Sequence, residues 1–191
     1  MAKRGQASRL SLELVLNLQE IRTSTNLPLT HLGGVYFMNL RQLIPPECVI
    51  LGLASVKHED VIGEMIGHLA KIGRISPEDC ERFGEAVIDR EIQVGSGLGS
   101  GVAIPHARVE GLEEILAVFA RSEIGVDFES PDNAPSHTIV LLLAPEEQTA
   151  QHLLTLAELA KVFSQCECRE KLKAASITSE ISAIFSSGGV F

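Results

Sequence analysis

Two histidines carry most of the chemistry that this 191-residue chain offers. His106 follows Pro105 directly, at the end of the apolar run 102–104. Proline restricts the residue before it to extended geometry and fixes the local chain direction. The imidazole is therefore expected at the rim of a sheet. Taken alone, such a histidine also has a bland reading, as a half-buried, hydrogen-bonded side chain. His152 shifts the balance. It falls in the first turn of an expected helix over 149–163, where free backbone N–H groups and the positive dipole end suit an anion. Leu153, Leu156 and Ala160 are expected to face the core, which puts His152 at the boundary of the apolar face.

A loop with Gly95, Gly97, Gly99 and Gly101 precedes His106. It is not a Walker loop, because no Gly-Lys-Ser/Thr follows, and Gly-x-Gly-x-x-Gly fails because position 102 is valine. Glycines here supply close backbone approach and unhindered amides. A glycine loop, a histidine at a strand end and a histidine at a helix start together suggest a phosphoryl site. Gly99 and Gly101 would offer backbone, Ser96 and Ser100 hydroxyls, and Arg90 a charge-assisted contact. The chemistry would be transfer to an imidazole nitrogen. Neutral histidine is a nucleophile near pH 7, and the N–P bond it forms is labile enough to be passed on. The protein must then position the group and stabilise in-line transfer electrostatically. No metal cage and no cofactor is called for. The other histidines, His31, His58, His68 and His137, read as structural or solvated.

These residues need strands and helices to hold them. Residues 49–53 form a short apolar run expected as a strand. Ser55 is placed to cap a helix with Val61, Ile62, Met65, Ile66 and Leu69 on one face, ended by Gly73. Ser76-Pro77-Glu78-Asp79 signals a second helix start, running to about Arg90. The runs 102–104, 115–120 and 138–144 are expected strands, the last nearly all aliphatic and hence central. After the helix at 149–163, two shorter helices near 169–174 and 178–185 close the chain. Strands between helices on one core predict an α/β fold, a three-layer α/β/α sandwich on a mixed sheet.

Residues 1–37 differ in character, carrying a net +2 against −11 for the remainder. Leu10, Leu14, Leu18 and Ile21 recur at helical spacing, and 23–37 reads as a loop. The expected division is an N-terminal extension at 1–37, either a leader or an amphipathic docking helix, and a domain at 38–191. The overall charge of −9 disfavours nucleic acid and anionic membrane surfaces. No apolar run approaches the ~18 residues of a membrane span, and Glu13, Asn17 and Gln19 interrupt any signal-peptide core. Cys48, Cys80, Cys166 and Cys168 show no CxxC spacing and read as reduced thiols of a cytoplasmic protein; Cys166-Glu-Cys168 is a faint metal or redox hint.

The segment Gly99-Ser-Gly-Val-Ala-Ile-Pro-His106, preceded by Arg90-Glu91, resembles the signature of enzyme IIA domains of the phosphoenolpyruvate-dependent sugar phosphotransferase system, fructose/mannitol class. Gln151-His152-Leu153 and Leu156–Lys161 resemble the second-histidine helix of that family, and the likeness runs over about 40–187. Gly95, Ser96 and Ser100 stand where the family usually has serine, threonine and asparagine. The resemblance implies an α/β/α sandwich. It also implies that His106 accepts a phosphoryl group from the phosphocarrier HPr or a paralogue, that His152 steadies the group, and that Arg90 sits beside it.

Three functional readings follow. The first is a regulatory phosphohistidine carrier of the nitrogen-related type, favoured because no IIB or IIC segment follows residue 191. The second is a sugar-transport IIA subunit that passes phosphate to a IIB domain. The third is an interaction module of the same fold without phosphotransfer, against which the presence of both histidines argues.

Overall fold

The computed structural model describes residues 29–32 and 35–185. In chain order the elements are β1 (Leu29–Leu32), β2 (Val35–Met38), α1 (Leu40–Leu43), β3 (Val49–Ile50), α2 (His58–Lys71) and α3 (Asp79–Gln93). Then come β4 (Gly97–Gly99), β5 (Val102–Ala103), β6 (His106–Val109), β7 (Leu116–Val126) and β8 (Ser136–Pro145). Three helices follow: α4 (Thr149–Ser164), α5 (Cys166–Ala174) and α6 (Thr178–Ile184).

The aliphatic run of β8 is the axis of the sheet. Antiparallel β7 pairs with one side of it; on the other side β5 and then β6 pair with it in parallel, one after the other along its length. β3 joins β7 in parallel and β4 joins β5 antiparallel, giving a mixed six-stranded sheet. Alternation along β7 and β8 divides the core in two. Leu116, Val118, Ala120, Ile139, Leu141 and Leu143 pack with the apolar faces of α2 and α3. Ala117, Phe119, Val140, Leu142 and Ala144 pack with α1, α4, α5 and α6. The chain is thus the expected three-layer α/β/α sandwich.

Several local expectations are corrected. β1 and β2 pair antiparallel, from Leu29 to Met38, where 23–37 reads as a loop; Gly33-Gly34 between two β-prone runs was the available signal. The helical spacing at 10–21 lies outside the described residues. α2 starts at His58 and not under Ser55, because the Glu64 carboxylate reaches back and accepts the N–H groups of Ala54 (3.1 Å) and Ser55 (2.9 Å). Its buried face is the expected one, and Gly73 follows it with φ +74°. Ser76–Glu78 form a turn ahead of α3, where the Ser76 hydroxyl donates to the Asp79 carboxylate at 3.0 Å. On α4, Leu153 is 60% exposed and Ala160 is exposed, while His152, Thr155, Leu159, Val162 and Phe163 face inward. Successive helical residues are about 100° apart, so the turn that buries His152 points Leu153 outward. Cys166 is exposed and Cys168 buried on α5, on opposite sides of one helix.

Leu142 is fully buried under the strand that carries His106. Leu142→Ala is expected to destabilise the fold by about 2–5 kcal/mol, read as a lower urea midpoint at unchanged slope.

Candidate active site

Ile104 and Pro105 link β5 to β6, and the Pro105 carbonyl accepts the Leu142 N–H at 2.9 Å. His106 then enters β6 in register with Leu142, and Arg108 in register with Ala144. Leu142 and Ala144 belong to the core half that contains α4, so His106 and Arg108 lie on that side of the sheet, while Ala107 and Val109 join the opposite half. His152, 7% exposed, comes from the fourth residue of α4. The two imidazoles meet with ring centroids 5.3 Å apart, tilted by 52°.

The hydrogen bonding of the two rings differs. His106 Nδ1 lies 2.7 Å from the Ile104 carbonyl oxygen. A carbonyl only accepts, so Nδ1 carries the proton and the neutral ring keeps its lone pair on Nε2. His152 Nε2 is buried without a hydrogen-bond partner within the protein. Burial lowers the pKa of His106; the Arg90 charge acts the same way, and the Ile104 bond opposes both. Burial also lowers that of His152, to about 4, with further contributions from the charges of His106, Arg108 and Arg90. Both rings are therefore held neutral near pH 7, the form a nucleophile requires.

The residues expected around the histidines fall into two groups. Arg90 lies in the last turn of α3, where its guanidinium donates to the Val94 carbonyl at 3.2 Å and its charge acts on both imidazoles. Ser96 is buried, and its carbonyl accepts the Ile104 N–H at 3.1 Å, which ties it to the residue that orients His106. Gly99 and Gly101, with φ +84° and +76°, build the β4–β5 turn instead. Their nearest neighbours across the chain are Asp132, and Pro135 with His137. Ser100, also at positive φ, donates its N–H to Asp132 at 2.7 Å. The glycine loop is thus an edge strand and a pinned turn. The first-turn amides are a further refinement: the His152 N–H is already bonded to the Gln148 carbonyl, so the free amides of α4 lie before it.

Two side-chain roles escaped the sequence reading. Glu91 is buried and accepts the Ser96 N–H at 2.8 Å, its pKa raised by burial; the Ser96 hydroxyl lies beside the same carboxylate. Arg108 shares the face of His106, as its two-residue spacing from that histidine on a strand signals. His58, His68 and His137 are occupied elsewhere: His58 Nε2 lies 3.3 Å from Glu59, His68 Nε2 2.6 Å from the Glu47 carbonyl, and His137 Nδ1 3.0 Å from the Ser122 carbonyl.

Residues 42–188 match the family described as "Phosphoenolpyruvate-dependent sugar phosphotransferase system, EIIA 2". The chain belongs to this family. It is accordingly a phosphoryl-transfer domain of that system, and its sandwich is the family's fold. It is 34% identical over 135 residues to the PTS system fructose-specific EIIABC component of Bacillus subtilis, covering 71% of this chain and 21% of that protein. It therefore spans about a fifth of the length of that relative. It is 33% identical over 137 residues to a nitrogen regulatory protein of Bradyrhizobium diazoefficiens, covering 72% of this chain and 88% of that one. Among solved structures, nitrogen regulatory protein IIA-Ntr from Neisseria meningitidis superposes with a TM-score of 0.69 at 33% identity, over 76% of this chain and 98% of that chain. Gly95 leaves no room for a side chain. A Cβ there would lie 2.5 Å from Glu129 Cβ and 2.9 Å from the Phe128 carbonyl.

Two outcomes are expected. Glu91→Ala strands the buried Ser96 N–H, destabilising the protein by about 1–3 kcal/mol in urea unfolding, whereas Glu91→Gln keeps the acceptor and most of the stability. His152 makes the fold acid-sensitive. Between about pH 6.5 and 4 the unfolded chain takes a proton that the folded ring refuses, so stability falls as pH drops through that window, by up to about 3 kcal/mol. In His152→Gln the urea midpoint should fall less between pH 7 and pH 4.5; parallel curves would contradict this.

Proposed function

We propose that the chain is a phosphohistidine carrier that accepts a phosphoryl group on His106 Nε2 from HPr or a paralogous phosphocarrier protein. The observation that carries the reading is the Nδ1–H bond from His106 to Ile104, which presents Nε2 as a lone pair beside a second, buried imidazole. In the transfer, the Nε2–P bond forms as the donor's N–P bond breaks. A donor ring protonated on its other nitrogen takes the bonding pair and leaves as neutral imidazole. The positive charge acquired by the His106 ring sits on the Nδ1–H, which the Ile104 carbonyl holds. His152 and Arg90 steady the phosphoryl oxygens, and Ser96 lines the pocket. Gly99 and Gly101 shape the turn that delivers this segment.

The role we infer is regulatory and cytoplasmic. Support comes from the nitrogen regulatory proteins, which this chain matches over most of their length. The fructose-specific relative supports the transport reading, in which the group passes on to a IIB domain. Incubating the labelled protein with a purified IIB domain separates the two: rapid loss of label to IIB favours transport.

The carrier reading is tested with labelled phosphoenolpyruvate, enzyme I and HPr. The wild-type chain should take up acid-labile label, and His106→Ala should take up none. His152→Ala should remain folded and accept label about 10²-fold more slowly, with Arg90→Ala affected in the same direction but less. A wild type that stays unlabelled, alongside a donor that labels a known acceptor, overturns the reading and leaves an interaction module.

A further inference from the structure

Arg108 stands between the two elements that bring the imidazoles together. Its guanidinium Nη1 donates to the Thr149 hydroxyl at 2.6 Å and to the Glu146 carbonyl at 3.3 Å. Thr149 is the first residue of α4, and His152 follows it by three positions, on the same side of the helix. Arg108 itself lies two residues beyond His106 on the same face of β6. One side chain thus spans from the strand of the first imidazole to the helix of the second.

The start of α4 needs such a hold. It has no side-chain N-cap and no acidic residue in its first turn. One other described side-chain bond reaches it, from Gln148 to the Glu113 carbonyl at 3.2 Å, and that bond leads to the connection before β7. A cation beside a helix N-terminus is also electrostatically unfavourable, since that end already carries partial positive charge. Propensity and capping therefore do not account for an arginine here. A geometric task does, and a dianionic group between the rings would relieve the repulsion.

We propose that Arg108 is a positioning residue that clamps β6 to the N-terminus of α4 and so sets the separation of His106 and His152. The proposal rests on the carrier reading for its functional meaning, while the clamp itself has a readout that requires no phosphate. The charge of Arg108 also helps to keep His152 neutral, alongside burial, His106 and Arg90.

The test uses the full chain and three variants, Arg108→Met, Arg108→Lys and Thr149→Val. Urea unfolding first establishes that each is folded. Label uptake from phosphorylated HPr gives the rate, and NMR titration of the imidazole carbons gives the protonation of His152. Arg108→Met should slow uptake by about 10- to 100-fold, the range expected from small misplacement of reacting groups, and His152 should protonate at higher pH. Thr149→Val keeps the charge but breaks the clamp, so its rate should fall in the same direction, and the double variant should be no slower than Arg108→Met. Arg108→Lys should recover part of the rate. A Thr149→Val protein with the wild-type rate, beside a slow Arg108→Met, would assign Arg108 to charge alone and overturn positioning. Wild-type rates and an unmoved His152 titration in both variants would also overturn it, with the carrier reading intact. If the wild type accepts no label, the carrier reading fails. The clamp then stands if ring-to-ring nuclear Overhauser contacts between His106 and His152 weaken in Thr149→Val, and falls if they persist unchanged.

Discussion

The 2.7 Å bond from His106 Nδ1 to the Ile104 carbonyl settles which nitrogen of that ring is basic, and the surrounding architecture serves to keep it in place. The acceptor belongs to the residue two positions earlier, so the bond is short-range and independent of partner proteins. It holds only while the backbone from Ile104 to His106 keeps its shape. Pro105 fixes one dihedral of that stretch. Leu142 takes the Pro105 carbonyl, and Ser96 takes the Ile104 N–H. The central strand on one side and the edge hairpin on the other thus both hold a three-residue segment whose output is one lone pair on Nε2.

The edge hairpin is held by close backbone approach. The Gly97 N–H donates to the Phe128 carbonyl at 2.8 Å, and a Cβ on Gly97 would fall 2.2 Å from the Ser130 hydroxyl. Glu91 reaches from the end of α3 to the Ser96 amide, and Asp132 to that of Ser100. Hydrogen bonds accepted by buried or locally anchored carboxylates supply the order that glycine-rich sequence alone does not specify. The same carboxylates make the loop dependent on two other stretches, the adjoining last turn of α3 and the distant 127–135 connection.

Much of this was legible in the residues. The aliphatic run at 138–144 marked the central strand, the spacing of Val61, Ile62, Met65, Ile66 and Leu69 marked the buried face of α2, and His152 was placed at a helix start, whereas His106, expected at the end of one strand, begins the next. Each of those signals is local and periodic. What was not legible depends on tertiary partners. Glu64 replaces Ser55 in ordering the entry to α2, a contact nine residues away. The inward face of α4 is set by the pairing of His152 with His106, which overrides the simple count of leucines and turns Leu153 to solvent. The role of Glu91 was hidden because an acid in a helical pattern reads as surface, whereas this one lies under the loop that follows it.

β5 and β6 share one side of β8, and the two residues between them set the parity of everything after. Side chains on a strand alternate strictly, so adding or deleting one residue between Ala103 and His106 would turn the imidazole and Arg108 away from α4 and swing Ala107 and Val109 into their place. Side-chain identity around the pocket can change without disturbing this arithmetic. Loop length at that join cannot. Among proteins built on this sandwich, indels should accumulate at the hairpin turn and the connections beyond the sheet, and the interval from β5 to the histidine should stay invariant in length.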